Sequence, residues 1–310
     1  MAGTSILKCL LESCPGININ AAYHKRQPFV NDKRVNYMRC DLNSVENCRD
    51  VSRDCGVAIM AASYAGGASF VRSYPWEHMK ENLLMNVAML EALRLEGIRR
   101  VIFISSAVVY QEFEGSIREE ELDLNIPPSE AYFGFGCAMR FLEQMCAFIN
   151  KKYGIETIVV RLANIFGPYD KFNPEVSNFV PAIIRKAAAK MDPFEVWGNP
   201  DVTRDVLYSG DFARAITIMA LDSNIESGVF NLGSGVETTV GNVVDWALKY
   251  AGHKPSQVKY IQNKPTTIKF RALDCSKAKT VLGWQPEYSI EDAVKVTTEW
   301  WIKNQDTWKR

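Results

Sequence analysis

The chain has 310 residues, which is long enough for one large domain or two closely packed domains around a substantial core. Hydrophobic residues make up 47% of the chain and charged residues 23%, a composition that excludes an intrinsically disordered protein. The formal net charge is zero and no apolar run approaches ~18 residues, so we expect neither nucleic acid nor membrane as a partner.

Helical and extended patterns alternate through the first half of the chain. The predicted elements are a helix at 4–12, strands at 17–23 and 35–40, a helix at 45–54, a strand at 57–62, a helix at 76–96, a strand at 100–105, a helix at 132–153 and a strand at 156–162. Such alternation predicts a doubly wound α/β fold with a parallel, Rossmann-like sheet. Ligands of such sheets bind at the carboxyl ends of the strands.

The pattern changes beyond Pro168, where prolines become frequent and helical stretches shorter. Helices are predicted at 211–222, 240–252 and 290–303, with a short strand at 229–232. We therefore predict a nucleotide-binding domain over 1–168 and a smaller substrate-binding domain over 169–310, partly interleaved with the first.

The eight cysteines show no C-x-x-C spacing, and several fall inside predicted strands or helices. We therefore expect reduced thiols in a cytoplasmic protein. The three histidines do not lie near a cysteine pair, so no metal site is expected.

The beginning of the chain matches only part of a dinucleotide-binding turn. Such turns have the pattern G-x-G-x-x-G between a first strand and a helix, and here only Gly3 and the helix are present. The first strand and two glycines would precede residue 1. We expect that the chain begins roughly ten residues late, and that pyrophosphate binding is weak without that strand.

The loops after the next two strands carry the other candidate nucleotide contacts. Arg26 follows the strand at 17–23 within a basic run and no carboxylate precedes Asp32, which favours NADP(H) over NAD(H) because Arg can hold a 2′-phosphate. A solvated basic loop is the alternative. Asp41 and Leu42 follow the strand at 35–40 as a candidate adenine-contacting pair, or simply as the start of a helix cap.

The stretch 101–136 carries the candidate chemistry. An apolar strand at 101–104 leads into Ser105 and Ser106, and Tyr132 stands at the head of the next predicted helix. This arrangement resembles the active-site half of the short-chain dehydrogenase/reductase superfamily. The resemblance implies that Ser106 orients the substrate oxygen and that Tyr132 is the acid/base.

Position 136 departs from that superfamily, whose motif places a Lys four residues after the Tyr. A free Tyr titrates near ~10, so at neutral pH it needs a cation to act as a base, and a spacing of four puts both side chains on one helix face. Gly136 supplies no charge, and Arg140 lies about 12 Å further along the helix. A neighbouring cation, a water molecule or the cofactor's own charge remain as substitutes, and without tuning the rate falls by ~10²–10⁴.

A broader resemblance covers nearly the whole chain. Its segments are SSAVVY (105–110), EAY (130–132), RLANIFGP (161–168), TRDVLYSGDFARA (203–215), FNLGSG (230–235) and LDCSKAKTVLGWQP (273–286). Together they are similar to the extended dehydrogenase/reductases that act on nucleotide sugars as NAD(P)-dependent epimerases and dehydratases. FNPEVSNFVPAIIRK, VWGNPDVTRD and WWIKNQDTWKR resemble most the GDP-L-fucose synthases.

The resemblance implies roles for further positions. The residues it places at the cofactor are Ala61, Asn82, Ser105, Tyr132 and Asn164, besides Gly3, Arg26, Asp41 and Leu42. The residues it places at a nucleotide-diphosphate sugar, with a GDP-sugar favoured, are Asn178, Lys186, Trp197, Arg204 and Asp274. Lys and Arg suit a diphosphate and Trp offers a stacking surface, although core packing is an alternative for Trp197.

Two positions that differ from the GDP-L-fucose synthases limit the reactions that we expect. The GDP-L-fucose synthases epimerise with a Cys and a His where this chain has Val108 and Asn178, and neither replacement can transfer a proton. We therefore expect hydride exchange at sugar C4 without 3,5-epimerisation. The alternatives are a non-catalytic relative that binds a nucleotide or partner, and an enzyme whose acid/base lies elsewhere.

The predicted helices at 76–96 and 131–152 are rich in Met and aromatic residues. Relatives pair through these two helices, so the resemblance implies a homodimer. Contacts within the core of one chain are the alternative.

Overall fold

The computed structural model describes residues 1–261 and 272–308. Its helices are α1 (Ala2–Ser13), α2 (Val45–Ser52), α3 (Ala68–Ser73), α4 (Pro75–Leu95), α5 (Phe133–Tyr153), α6 (Phe179–Ala188), α7 (Ser209–Leu221), α8 (Val240–Tyr250), α9 (Ser276–Leu282) and α10 (Ile290–Asn304). Its strands are β1 (Ile19–Tyr23), β2 (Val35–Arg39), β3 (Val57–Met60), β4 (Arg100–Ser106), β5 (Ser116–Ile117), β6 (Glu156–Leu162), β7 (Asn164–Phe166), β8 (Phe194–Trp197), β9 (Thr203–Arg204), β10 (Val206–Tyr208), β11 (Gly228–Leu232), β12 (Thr238–Thr239), β13 (Val258–Ile261) and β14 (Ala272–Leu273).

The main sheet has the order β11-β6-β4-β3, and all its strands are parallel. Parallel strands must be covered on both faces, and the sequence of β4 meets that need with a continuous apolar run. Val101 and Phe103 pack with α4 and α5, whereas Ile102 packs with α1, α7 and α9. The fold is therefore the α/β, Rossmann-like architecture that the alternating pattern predicted.

Strands β1 and β2 form a separate parallel pair. Within the described residues no ladder joins β1 to β3, so each has one edge without a strand partner. Ile19 and Ala21 on β1, and Val57 and Ile59 on β3, are only half-buried, whereas the run 101–103 of β4 is fully buried. The expected first strand stays a prediction, and this break in the sheet is where it would lie.

The second half of the chain builds its own core and also completes the main sheet. Helices α6, α8 and α10 pack around β8 and β13, which pair in parallel. Strand β11 returns to pair with β6, while α7 and α9 cover the main sheet. The domain division at residue 168 stays a prediction.

Local signals explain several element boundaries. Ser44 caps α2 by accepting a hydrogen bond from the Asn47 amide at 3.3 Å. Gly97 follows α4 with φ of +65°, a conformation that suits glycine. Tyr132 precedes α5 as its cap residue, at the end of a single 3₁₀ turn, rather than opening the helix itself. No helix in the described ranges has the length and apolarity to cross a membrane.

Candidate functional site

The candidate site lies where the central strands end. In the sheet register Ser106 pairs with Leu162, and Asn164, just beyond, pairs with Val206 of β10. Arg204 stands two residues before Val206 and therefore lies near the level of Ser106. The topology thus brings three predicted site residues, Ser106, Asn164 and Arg204, to one end of the sheet.

The two serines at the end of β4 have different surroundings. Ser105 is buried, and its hydroxyl donates to Oε1 of Glu143 at 2.5 Å, inside the core. Ser106 is half-buried, and its hydroxyl accepts from the Val108 amide at 3.4 Å. The Ser105 side chain is thus engaged inside the core, and the predicted contact of Ser105 with a cofactor stays a prediction. Ser106 keeps the position of an oxygen-orienting group.

Tyr132 lies at the start of α5, half-buried, with its amide donating to Ser129 O at 2.9 Å. Arg204 is also half-buried, and its Nη1 donates to Thr203 O at 2.9 Å. Burial lowers the pKa of Arg204, and the charge of a Tyr132 phenolate acts in the opposite direction. The guanidinium is therefore within electrostatic reach of the phenol.

The space beside Gly136 is filled by the protein itself. A Cβ at this position would lie 2.7 Å from Pro128 Cβ and 2.7 Å from Val108 O. Arg140 holds the surrounding loops against α5, since its Nε donates to Val109 O at 2.6 Å and its Nη1 to Ile126 O at 2.7 Å. The position that carries Lys in the dehydrogenase/reductase motif is thus used here for close packing between α5 and the neighbouring loops.

Asn82 is buried, and every hydrogen bond of its side chain is local. It accepts from Ser63 Oγ at 3.1 Å and from the Tyr64 amide at 3.0 Å, and it donates to Tyr64 O at 2.8 Å and to His78 O at 2.7 Å. Asn82 therefore holds the loop after β3 through Ser63 and Tyr64. The predicted contact of Asn82 with a cofactor stays a prediction.

The loop after β3 is also held from the other half of the chain. Gly67 donates to Val176 O at 3.2 Å, and a Cβ on Gly67 would lie 2.4 Å from Ser177 O. Lys171 contacts Ala65 O. Sequence reasoning missed this contact, although the Gly66-Gly67 pair signals a close backbone approach. The exposed Asn178 follows directly and begins α6.

The residues at the nucleotide end are accessible. Helix α1 begins without a side-chain cap, and a Cβ on Gly3 would meet nothing within 4 Å. Arg26 and Asp41 are exposed, and Asp41 Oδ1 accepts from the Asn43 amide at 3.1 Å. Leu42 packs with two buried cysteines and anchors the loop after β2.

The substrate end brings a cation and an aromatic ring together. Lys186 Nζ donates to Glu195 O at 2.8 Å and lies 5.8 Å from the centroid of the Trp197 ring. Burial lowers the pKa of Lys186. Trp197 is 49% exposed, which excludes the core-packing alternative for this residue. The pair offers a charge and a stacking surface on one face.

Asp205, the neighbour of Arg204 in sequence, binds the backbone just before Asp274. Sequence reasoning did not single out this residue. Its buried carboxylate accepts from the Ser234 amide at 2.7 Å and from the Leu273 amide at 3.1 Å. Asp274 follows immediately, and its Oδ1 accepts from the Ser276 amide at 2.8 Å. Hydrogen bonds from the Ser276 hydroxyl and amide lower the pKa of the Asp274 carboxyl. The signal was an acidic residue directly before the apolar strand Val206–Tyr208, in T-R-D-V.

A buried polar network supports the end of β4. Glu143 and Arg161 form an ion pair at 2.8 Å, and Arg161 Nη1 donates to the Tyr110 hydroxyl at 3.0 Å. Tyr110 donates to Asn231 Oδ1 at 2.7 Å, and burial raises its pKa to about 12. Together with Ser105, these residues tie β4, β6, β11 and α5 together. No group of three or more His, Cys, Asp or Glu in the described chain is arranged to hold a metal.

Comparison with known proteins finds relatives at the level of sequence. GDP-mannose 3,5-epimerase of Arabidopsis thaliana is 28% identical over 271 residues, which cover 86% of this chain and 70% of the relative. GDP-L-fucose synthase of Sinorhizobium fredii is 29% identical over 250 residues, which cover 79% of each protein.

A solved structure of UDP-glucose 4-epimerase from Thermotoga maritima, with UDP-glucose, is similar with a TM-score of 0.85 at 23% identity. The match covers 98% of this chain and 96% of that chain, and it confirms the fold. The family model described as NAD dependent epimerase/dehydratase matches residues 1–233. The match spans most of the sequence and includes Ser106, Tyr132 and Arg204, and it confirms the resemblance: the chain belongs to the NAD-dependent epimerase/dehydratase family.

Proposed function

We propose that this protein is an NAD(P)-dependent nucleotide-sugar oxidoreductase or epimerase that exchanges hydride at sugar C4, in the manner of the GDP-L-fucose synthases. The observation that carries the proposal is that Ser106 ends β4 while the first turn of α5, which Tyr132 precedes, packs against the Val108 carbonyl just beyond it, with Arg204 near Tyr132. This arrangement provides a hydroxyl donor, an acid/base and a cation where parallel sheets bind their ligands.

A GDP-sugar is the proposed substrate because two relatives of this chain are named for GDP-sugars. Lys186 and Arg204 bind the negatively charged diphosphate, and the exposed ring of Trp197 stacks on a base or sugar. Asn178 and Asp274 complete the proposed site by hydrogen bonding to the sugar hydroxyls.

The donor set fits a nicotinamide dinucleotide. The uncapped start of α1, with Gly3 open to solvent, suits a diphosphate. Arg26 suits a 2′-phosphate, which favours NADP(H) over NAD(H). Asp41 and Leu42 would flank the adenine, with Ala61 and Asn164 nearer the nicotinamide. When bound, the nicotinamide supplies or accepts the hydride at C4.

Tyr132 and Ser106 perform the proton chemistry. In the oxidative direction the Tyr132 phenolate takes the proton of the C4 hydroxyl while the C4 hydrogen leaves as hydride. In the reductive direction the Tyr132 phenol returns that proton to the carbonyl oxygen. Ser106 donates a hydrogen bond to the same oxygen in both directions. Val108 and Asn178 supply no group for 3,5-epimerisation.

Pairing through α4 and α5 is part of the proposal. Leu84 on α4, and Phe141 and Phe148 on α5, are each more than half exposed. Large apolar side chains grouped on two adjacent helices favour an interface, so we propose a homodimer. The eight cysteines are free thiols, which supports a reducing, cytoplasmic location.

The test is turnover of a panel of GDP-, UDP- and dTDP-linked sugars and their 4-keto forms, with NADPH or NADP⁺ followed by absorbance. We expect turnover with a GDP-sugar and its loss in Tyr132→Phe, with a far smaller effect on cofactor affinity measured by fluorescence. Turnover that survives Tyr132→Phe would contradict the assigned acid/base. Turnover only with other nucleotides would contradict the GDP preference.

A non-catalytic relative is the second candidate, favoured by the closed packing around Gly136. Such a protein would bind a nucleotide sugar, measured by calorimetry, without converting any member of the panel. Detectable conversion that depends on Tyr132 eliminates it.

A further inference from the structure

Other parts of the protein fill the space beside Gly136, so the position of the motif lysine is not a vacant one. Pro128 and the Val108 carbonyl occupy the volume where any side chain at 136 would begin. Arg140 fixes that arrangement through its bonds to Val109 O and Ile126 O. A cation that serves Tyr132 must therefore come from another element of the structure.

Arg204 lies at about the same level as Ser106 along the strand direction. Ser106 pairs with Leu162, and Asn164, two residues further on, pairs with Val206. Arg204 stands two residues before Val206, which returns it to the level of Ser106. Its backbone is held on both sides, since Thr238 pairs with it in β12 and the next residue, Asp205, is anchored by Ser234. The bond from Nη1 to Thr203 O restrains the guanidinium. Arg204 is thus a fixed charge.

We propose that the Arg204 guanidinium supplies the positive charge that stabilises the Tyr132 phenolate in place of the motif lysine. The inference rests on the proposed function, because it assigns a partner to the acid/base of that reaction. Arg204 acts through Tyr132 and is therefore a positioning and charge-supplying residue in this role, whether or not it also contacts a substrate diphosphate.

The electrostatic interaction between the two residues supports this assignment. Burial, the larger effect, lowers the pKa of Arg204, and the charge of a Tyr132 phenolate acts in the opposite direction. By reciprocity the guanidinium favours the phenolate, because one interaction energy links both ionisations. Arg stays protonated even when partly buried, so its charge is present throughout the neutral pH range.

Within residues 1–261 and 272–308, the ionisable groups on the elements near Tyr132 are neutral, acidic or held by hydrogen bonds elsewhere. On α4, burial lowers the pKa of His78 to about 4, so its ring is neutral. On the segment after β7, Lys171 binds Ala65 O. On α5, Arg140 points to Val109 O and Ile126 O, and Cys137 carries no positive charge. Glu130, in the turn before the helix, offers no positive charge.

The first experiment titrates Tyr132 by ultraviolet difference absorbance of the ligand-free protein. The chain has 12 tyrosines, so the Tyr132→Phe variant provides the curve to subtract. We expect Arg204→Gln to raise the pKa of Tyr132 by about one unit, because the phenolate loses an opposite charge. Arg204→Lys should recover part of that shift. An unchanged titration in Arg204→Gln would overturn the proposal.

A matched variant separates this role from substrate binding. Lys186→Gln removes another cation of the proposed substrate site but should leave the Tyr132 titration unchanged, whereas Arg204→Gln should move both the titration and the alkaline limb of the kcat profile. A shift of equal size in both variants would overturn the specific pairing. If no sugar is turned over but the titration shift is present, the reaction assignment fails and the Arg204–Tyr132 pairing stands.

Discussion

Gly136 stands where the motif of the short-chain dehydrogenase/reductases has a Lys, and the structure explains why a Gly is found here. Its missing Cβ lets Pro128 and the Val108 carbonyl approach α5, and the resulting packing closes the lysine position. Glycine inside a helix costs about 1 kcal/mol relative to alanine, so the close approach is the compensating gain.

We therefore predict that Gly136→Ala and Gly136→Lys lower the free energy of unfolding by about 1–3 kcal/mol, and that the lysine does not restore activity. Urea denaturation and turnover assays measure the two effects. Gly134→Ala is the matched control, because its Cβ would lie 3.3 Å from the flexible Met79 Sδ rather than against backbone. Equal stability of Gly136→Ala and the unmodified protein would contradict the packing argument.

Ser105 and Ser106 are neighbours with separate roles, and exchanging each for Ala distinguishes them. Ser105→Ala removes a buried hydrogen bond to the Glu143 carboxylate and should cost about 1.5–3 kcal/mol of unfolding free energy. Ser106→Ala removes a half-buried hydroxyl at the strand end, so it should leave stability nearly unchanged and lower kcat. Thermal denaturation and turnover assays test the pair, and the reverse pattern would refute the assignment.

At this scale the sequence predicted which residue types matter better than it predicted what each side chain contacts. Period-two alternation requires Ser105 and Ser106 to face opposite sides of β4, but only the buried Glu143–Arg161 pair decides which serine faces the core. Likewise the sequence marks Asn82 as important, yet its four local bonds are set by the path of the loop after β3.

At the scale of elements, long helices and central strands could be predicted because their apolar patterns are strong. The short strands β5, β9, β12 and β14 span two residues each, and no local pattern defines them. They exist because tertiary contacts align the backbone, as where Thr238 pairs with Arg204. Arg204 therefore acquires its position from a part of the fold that periodicity cannot reveal.

We predict that the homodimer forms through helices α4 and α5. Phe141 and Phe148 lie about two turns apart on α5 and are 53% and 57% exposed. We expect Phe141→Glu to shift the protein from dimer to monomer in sedimentation velocity, because a buried unpaired carboxylate opposes association. Val281→Glu on α9, also 51% exposed, is the control and should leave the mass unchanged. A monomeric unmodified protein at micromolar concentration would exclude this interface.

For the whole molecule, the alternation of strands and helices was sufficient to predict the α/β fold and its parallel sheet. It did not reveal that β1 and β2 stand apart from β3, because pairing between strands is a tertiary property. The open edges of β1 and β3 leave backbone donors and acceptors without ladder partners in this part of the described chain, and their apolar residues remain half-buried.

An additional apolar strand, joined to the N-terminus of α1, should complete the sheet. Strand, α1 and β1 would form one βαβ unit, for which a right-handed crossover is the rule. The new strand would pair with both open edges and bury Ile19 and Ile59. A G-x-G-x-x-G turn between that strand and α1 would also direct backbone amides toward a diphosphate.

We therefore predict that an N-terminal extension of a five- to six-residue Val- and Ile-rich strand and such a turn raises the melting temperature and tightens NADP(H) binding at least tenfold. Calorimetry and cofactor fluorescence measure the two effects. The same extension with a proline at the centre of the strand is the control, because proline removes a ladder donor and should abolish both gains. Equal gains with and without the proline would show that the extension acts outside the sheet, since only a paired strand can depend on that one amide.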